Sequence, residues 1–500
     1  MHSDAVKRFA VNRWIILLGG GNLLAVAVYT VLTYGLFPLA PFEAGLAADR
    51  AVMAAQIGRL FSVFGPSLQA YVTGHSILAQ RGYWLVAYSA PLVMVSVIFI
   101  VMLVLLVRHK HHLTEHTPRL LFWFAAGMAA VSALALPVLV LDFWYPLAWG
   151  RMILNGLNPY YHTMPLEFIQ DLPLGDDKET VKMMYGPLWA VGYSAVMAVA
   201  GQQLWPGAIL FKLLFLAAWL GCLQLIRLIL AGQPVWRQSA GLLVFGWLPL
   251  GFQQGVAEGH NDLLMVFFLL LWLYGLHQKN GTAATVALAA SVLIKYATLP
   301  LFLLDFLYHH YVLRRPFKRY LAQLGWAGGL MLIVIALFYR SPEFFIYLFQ
   351  AKSWHFFSPK EVIVALEVLT GWKLYLTSAT RTIFGWIGLY FVYRYWRRPT
   401  PDSFYAAVLG VMSTLLFSVT AHIWPWYLLW VLGAAALLPA AGLARWAIGV
   451  ALAMPFVMLM WLVFPEKSST VTFYIPVLLL YLFAAVWFSI SSKIVTTYRK

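Results

Sequence analysis

The sequence is short of charge, of acids and of cysteine, and each shortage excludes something. Only 10% of the 500 residues are charged, against roughly 25% in a soluble domain, so a chain wetted on all sides is excluded. A single cysteine, Cys222, rules out an intramolecular disulfide and any multi-cysteine metal site. There is no P-loop, no Gly-x-Gly-x-x-Gly, no His-Glu-x-x-His and no nucleophile elbow, which argues against nucleotide-driven chemistry. Nor is there an internal repeat, a low-complexity linker or a separate soluble domain.

What fills the chain is apolar: 62% of the residues are hydrophobic. Apolar runs of about 17 residues or more recur from Arg13 to the C-terminus, each able to cross a bilayer core of roughly 30 Å. They are continuous rather than alternating, so they predict helices and not strands of a barrel. The expected fold is all-α, a polytopic integral membrane protein of about 13–14 transmembrane helices with a re-entrant or broken segment. The first run, Trp14 to Leu36, follows Lys7, Arg8 and Arg13 and reads as a retained span, being too long for a signal-peptide core.

The net charge of +16 does not point to nucleic acid, because the cations sit in short hydrophilic breaks. The clusters are Lys7/Arg8/Arg13, Arg108/Lys110/Arg119, Arg314/Arg315/Lys318/Arg319, Arg394/Arg397/Arg398 and Lys493/Arg499/Lys500. This is the positive-inside pattern. It predicts cytoplasmic N- and C-termini in a cell membrane, a bacterial inner membrane being the expected one. The run His109-Lys110-His111-His112 reads as solvated surface on the same side.

One integral unit is expected, with N-terminal helices over 14–141, an outer catalytic loop over 142–186 and core helices over 187–320. A second outer loop follows at 339–375, then C-terminal helices over 376–490. Parity requires an odd number of crossings between the outer stretch and the Arg314 cluster. Counting 187–204 and 207–230 as crossings, the stretch 239–257, broken at Trp247-Leu-Pro-Leu-Gly251, then reads as a segment leaving on the side it entered. The competing choice makes it a full crossing and 281–312 a single one.

Polar residues beside apolar runs carry the functional signal. Six of the eighteen acids lie between Asp142 and Gly186. Asp142 stands where a span meets the surface, and half-desolvation there raises a carboxylate's basicity, as a general base for an acceptor hydroxyl needs. Trp144, Tyr145, Trp149, Tyr160 and Tyr161 offer faces to sugar rings; the bland alternative is an interfacial aromatic belt. Glu258-Gly-His260-Asn261-Asp262 precedes another span. One residue suffices to cap that helix, which leaves Glu258 and His260 to explain. Lys295 lies in an apolar run before Pro300 and is a candidate counter-charge for a phosphate, or else a snorkelling lysine. Arg340 heads a second basic, aromatic stretch, and Ala421-His422-Ile-Trp424-Pro425-Trp426-Tyr427 opens a later span. Asp142, Glu258 and Asp262 carry oxygen ligands suited to a divalent cation, though their spacing does not show that they converge.

In this order the motifs resemble the GT-C class of integral membrane glycosyltransferases, and most of all the bacterial polyprenyl-phosphate-mannose-dependent α-mannosyltransferases. The matching stretches are Asp142-x-x-Tyr145, Gly156-Leu-Asn158-Pro159-Tyr160, Tyr185-Gly186-Pro187-Leu188, His260-Asn261-Asp262, Lys295 near a proline, and Pro425-Trp426-Tyr427. Where that family often has Asn-Pro-Leu, this chain has Leu248-Pro249-Leu250. The resemblance implies a GT-C-like fold and transfer of a hexose, mannose by preference, from a polyprenyl-phosphate carrier to a glycan or glycolipid hydroxyl at the non-cytoplasmic face, with inversion. It makes Asp142 the base. Tyr145, Arg151, Asn158, Tyr160, Tyr185, Glu258, His260, Asn261, Asp262, Lys295, Arg340, His422 and Trp426 become the substrate-binding set. Transport or flipping of a lipid-linked sugar is the alternative, since broken helices with intramembrane charge suit it too.

Overall fold

The computed structural model describes residues 2–36, 81–137, 141–172, 182–345, 367, 370–371, 379–420, 423–463 and 470–497. Their regular elements are all helices, with no strand among the described residues. The N-terminal part packs α1 (His2–Leu36), α2 (Arg81–Arg108) and α3 (His116–Ala133). A 3₁₀ turn, Leu141–Phe143, leads into α4 (Tyr145–Leu154). After α5 (Pro187–Val199) and α6 (Leu204–Ile229) comes a broken pair, α7 (Val235–Gly246) and α8 (Pro249–Phe252), the latter running into a π turn, Gln253–Ala257. Next are α9 (Asp262–His277), α10 (Gly281–Ile294), α11 (Leu301–Tyr311) and α12 (Phe317–Phe338). The C-terminal part holds α13 (Ala379–Arg397), α14 (Pro401–Thr414), α15 (Leu429–Ala435), α16 (Gly442–Val463) and α17 (Thr470–Thr497).

Among the described residues four segments are long and apolar enough to cross a membrane: Val11–Thr33, Tyr88–Arg108, Leu204–Ile229 and Phe317–Phe338. Several shorter apolar helices accompany them, including α9 and α10. On α12 the side chains of Trp326, Leu332 and Ile333 are open to the surroundings. An apolar helix with an uncovered apolar face suits lipid and not water. The protein is a polytopic helical membrane protein.

Two stretches exchange the roles that parity assigned them. Both ends of α5 lie on the Asp142 side of the bundle. Gly186 N donates to Ile294 O at 3.0 Å near Lys295, and Gln202 O beyond the other end accepts from Arg151 Nε at 2.9 Å. The α7–α8 pair instead traverses the bundle. Its start is tied to the basic face, where Arg237 Nη2 meets Asp402 Oδ1 at 2.7 Å. Its far end arrives beside Phe143, the residue after Asp142, as Lys212 bridges that ring and the carbonyls of Val256 and Ala257. The pair bends by 50° where Pro249 starts its second half. Proline lacks the N–H that would continue the helix, and Pro249 sits at the first turn of α8, where none is needed. The two changes cancel, so the Asp142 side and the Arg314–Arg319 side remain opposite.

Candidate active site

The site forms where helix ends meet. Asp262 lies in the first turn of α9, and Lys295 follows the last turn of α10. These helices are antiparallel neighbours, held in register by Ser291 Oγ donating to Met265 O at 2.9 Å. An acid at a helix N-terminus and a cation at a C-terminus both complement the helix dipole, and the hairpin brings them together. Lys295 Nζ donates to Asp262 Oδ1 at 2.8 Å, and the Trp430 indole donates to the same oxygen. The Lys295 ammonium also faces the rings of Tyr427, Trp430 and Tyr185, at 4.1, 5.2 and 5.6 Å, so its charge is held by π faces as well as by one carboxylate.

Asp142 reaches this cluster from the 3₁₀ turn. Its Oδ2 accepts a hydrogen bond from the Tyr185 hydroxyl at 3.2 Å and lies 3.8 Å from His260 Nδ1. The imidazole of His260 stacks on Trp426, with ring centroids 3.8 Å apart and planes 12° apart. Trp426 stacks in turn on Trp424 at 5.1 Å. The Asp142 side chain keeps 26% of its surface open, whereas that of Asp262 has none. Burial pushes the Asp142 carboxyl up to about 6, against the opposing pull of Lys295 and of the Tyr185 hydroxyl. At neutral pH the group is therefore ionised and still basic enough to take a proton.

Three polar atoms in the cluster are buried without a protein partner: His260 Nε2, Asn261 Nδ2 and Asp262 Oδ2. A buried polar group left unsatisfied costs about 1–3 kcal/mol. Three on consecutive residues describe a surface made for a polar ligand. Among the described residues no three His, Cys, Asp or Glu side chains are arranged to hold a metal ion.

Glycines set the geometry at two points. Gly259 has φ +70° and packs between Phe143 and Phe215; a Cβ there would stand 2.7 Å from one ring and 2.9 Å from the other. At Gly186 a Cβ would overlap the carbonyl of Leu293. That close approach seats Tyr185 between Asp142 and Lys295. Gly186→Ala is expected to separate the Tyr185 loop from α10, costing about 1–3 kcal/mol of stability as overpacking does and at least roughly tenfold in activity, since a small misplacement at a reacting centre is costly. Parallel thermal-unfolding and activity measurements on the purified variant check both.

Not every candidate residue faces this cluster. Arg151 is committed to the loop, pairing Nη1 and Nη2 with Asp171 at 2.5 and 2.8 Å and donating from Nη1 to Phe168 O at 3.0 Å. Asn158 Nδ2 donates to Phe338 O at 2.7 Å, and the buried Tyr160 hydroxyl donates to Tyr185 O at 2.8 Å. These three brace the loop that carries Tyr185. Tyr145 stacks on Trp149 at 5.6 Å. Arg340 is exposed and donates to Tyr339 O. Glu258 is fully buried and is a charged neighbour of Lys212, behind the cluster. His422 lies outside the described residues, as do 346–366 and 372–378 of the second loop.

Sequence reasoning passed over Lys212 and Trp430, and left Tyr427 out of the substrate-binding set. Lys212 stands alone in an apolar run, a signal equal in kind to that of Lys295. It holds the π turn by donating to Val256 O at 3.3 Å and to Ala257 O. Tyr427 belongs to the Pro-Trp-Tyr motif. Trp430 has no local signal, because only the fold carries it to Asp262.

At one end of its bundle this helical membrane protein gathers a half-open carboxylate, a buried ion pair, stacked indoles and unpartnered polar atoms. The chain belongs to the alpha-(1->6)-mannopyranosyltransferase family, whose N-terminal-domain model matches residues 43–309. No curated protein matches it. The activity is thus mannosyl transfer, and the match takes in every element of the cluster except Trp424, Trp426, Tyr427 and Trp430.

Proposed function

We propose that the protein transfers mannose from a polyprenyl-phosphate carrier to a hydroxyl of a glycan or glycolipid at the non-cytoplasmic face, with inversion. The convergence of Asp142, His260, Asp262 and Lys295 at one end of the bundle carries the reading. Among the described residues, Arg237 with Asp402 and the Arg314–Arg319 cluster lie at the opposite end, which the positive-inside pattern reads as cytoplasmic. A membrane-embedded site without a nucleotide-binding motif suits a donor whose lipid lies in the bilayer.

In this reaction the acceptor oxygen attacks the anomeric carbon as the bond to the carrier phosphate breaks. Asp142 takes the acceptor's proton. The phosphate leaves with its bonding electrons, and Lys295 offsets its charge. A single in-line displacement inverts the centre, so an α product calls for a β-linked donor. His260, Asn261 and Asp262 present their unpartnered atoms to the sugar, and Trp426 backs it.

The test supplies the purified protein in liposomes with radiolabelled polyprenyl-phosphate mannose and an oligomannoside acceptor. Label recovered in the acceptor supports the reading. Label that crosses the bilayer still attached to its carrier favours a flippase. Incorporation from GDP-mannose but not from the lipid would overturn the donor assignment.

A further inference from the structure

Two stretches of chain far apart in sequence supply Asp142 and His260, and both rest on one face of α6. Phe211, Lys212 and Phe215 form that face, and all three are buried. Phe143, next to Asp142, packs its ring on Phe211 with centroids 6.2 Å apart. Lys212 Nζ stands 5.1 Å from the centroid of the same Phe143 ring. From there it donates to Val256 O at 3.3 Å and to Ala257 O, the last carbonyls of the π turn. Only Glu258 and Gly259 separate that turn from His260, and Gly259 is wedged between Phe143 and Phe215. The amine is therefore a fixed point shared by the chain just after Asp142 and the chain just before His260. Between those two side chains, His260 Nδ1 lies 3.8 Å from Asp142 Oδ2.

Stability alone is a poor reason for a lysine here. Replacing a buried pair of opposite charges by apolar side chains of similar volume is often neutral or stabilising, and Lys212 with its charged neighbour Glu258 is such a pair, 8% and 0% exposed. What an apolar side chain cannot do is grip backbone carbonyls. We propose that Lys212 is a positioning residue for mannosyl transfer, fixing how Asp142 meets His260 through Phe143 and the π turn. This rests on the reading of Asp142 as the base. An ammonium has three N–H donors, so one side chain can hold two carbonyls and still lie against a ring. The carbonyl grip sets where the chain leaves the π turn, and the ring contact sets the 3₁₀ turn that carries Asp142. The charge has an effect of its own. Burial first, then Lys295 and Lys212, hold the His260 imidazole well below its ordinary value. The ring beside Asp142 is thus neutral and does not draw the carboxylate into an ion pair.

Lys212→Met combined with Glu258→Gln removes both charges and strands neither, so the double variant of the whole protein is expected to unfold within a few degrees of wild type. Tyr185, His260, Asp262 and Lys295, the titratable groups around Asp142, stay in place. Infrared titration of the protonated-carboxyl band that is absent from Asp142→Asn reads this carboxyl without any substrate. Its expected wild-type midpoint of about 6 should fall by about half a pH unit or more in the double variant, as water reaches a loosened carboxylate. With lipid-linked mannose, kcat should drop roughly tenfold or more while the donor KM stays within about twofold. Phe143→Leu, which takes away the ring and leaves α6 intact, should move the midpoint and kcat the same way, and it decides the matter if the double variant does not fold. A lysine that only stabilises would lower the unfolding temperature and leave the Asp142 midpoint where it was; that result, or wild-type kcat in these variants, overturns the proposal. Wild type unable to use the lipid carrier would refute the donor assignment alone, since the infrared titration still judges Lys212.

Discussion

Replacing Asp142 by Asn lowers mannosyl transfer by roughly 10²–10⁴-fold, the range a general base contributes, while the protein still inserts and folds. The amide has nearly the shape of the carboxyl and can still accept from the Tyr185 hydroxyl, so the local packing survives. What is lost is the ability to take a proton. The pH dependence gives a second handle. The Asp142 carboxyl is raised to about 6, and the working form is the ionised one. Transfer by wild type is therefore expected to be full above that value and to fall as pH drops through it, with a slope of one proton. Asp142→Glu keeps an ionisable group and should retain a displaced version of the same profile. Rates measured across pH 4.5–8.5 with saturating lipid-linked donor check both; an Asn variant with wild-type rates would remove Asp142 from the chemistry.

Lys295→Met is expected to lose both transfer and stability. The Lys295–Asp262 pair is buried, and removing one partner strands a charge, which typically costs about 3–5 kcal/mol. A replacement that takes away both charges, Lys295→Met with Asp262→Leu, should recover much of the stability because no unpaired ion remains. It should recover no activity. Thermal unfolding of the purified single and double variants in detergent, alongside transfer assays, separates the two effects. If the double variant unfolds no later than Lys295→Met, the pair is not what holds the α9–α10 hairpin ends together.

The parts of this site legible in the sequence were those where one residue is costly in its own surroundings. Asp142 at the edge of a span, His260 and Asp262 before an apolar run, and Lys295 inside one all break the local rule that polar side chains avoid hydrocarbon. Their meeting was not legible, because it depends on the antiparallel seating of α9 on α10 and on the contact of Gly186 with Leu293. Residues such as Arg151, Asn158 and Tyr160 looked alike in sequence, as polar or aromatic members of a motif. Only their partners distinguish the bracing of a loop from the handling of a ligand. The exchange of roles between α5 and the α7–α8 pair was hidden for a related reason. Hydropathy measures how apolar a stretch is, and a short apolar helix folded back on a loop scores as a crossing does.

Lys212 leaves the ribosome 44 residues before Val256, the nearer in sequence of the two carbonyl acceptors that hold it. At about 5–20 residues per second that is an interval of several seconds. Throughout it α6, long enough to be released into lipid by itself, carries an ammonium with no seat. The seat arrives only with the kinked pair, whose own loosened π turn is in the same position until the amine reaches it. Neither segment can reach its final place alone, so biogenesis at this point is a joint event: an early helix waits at the membrane for a later one, and the two are locked together by a single long side chain.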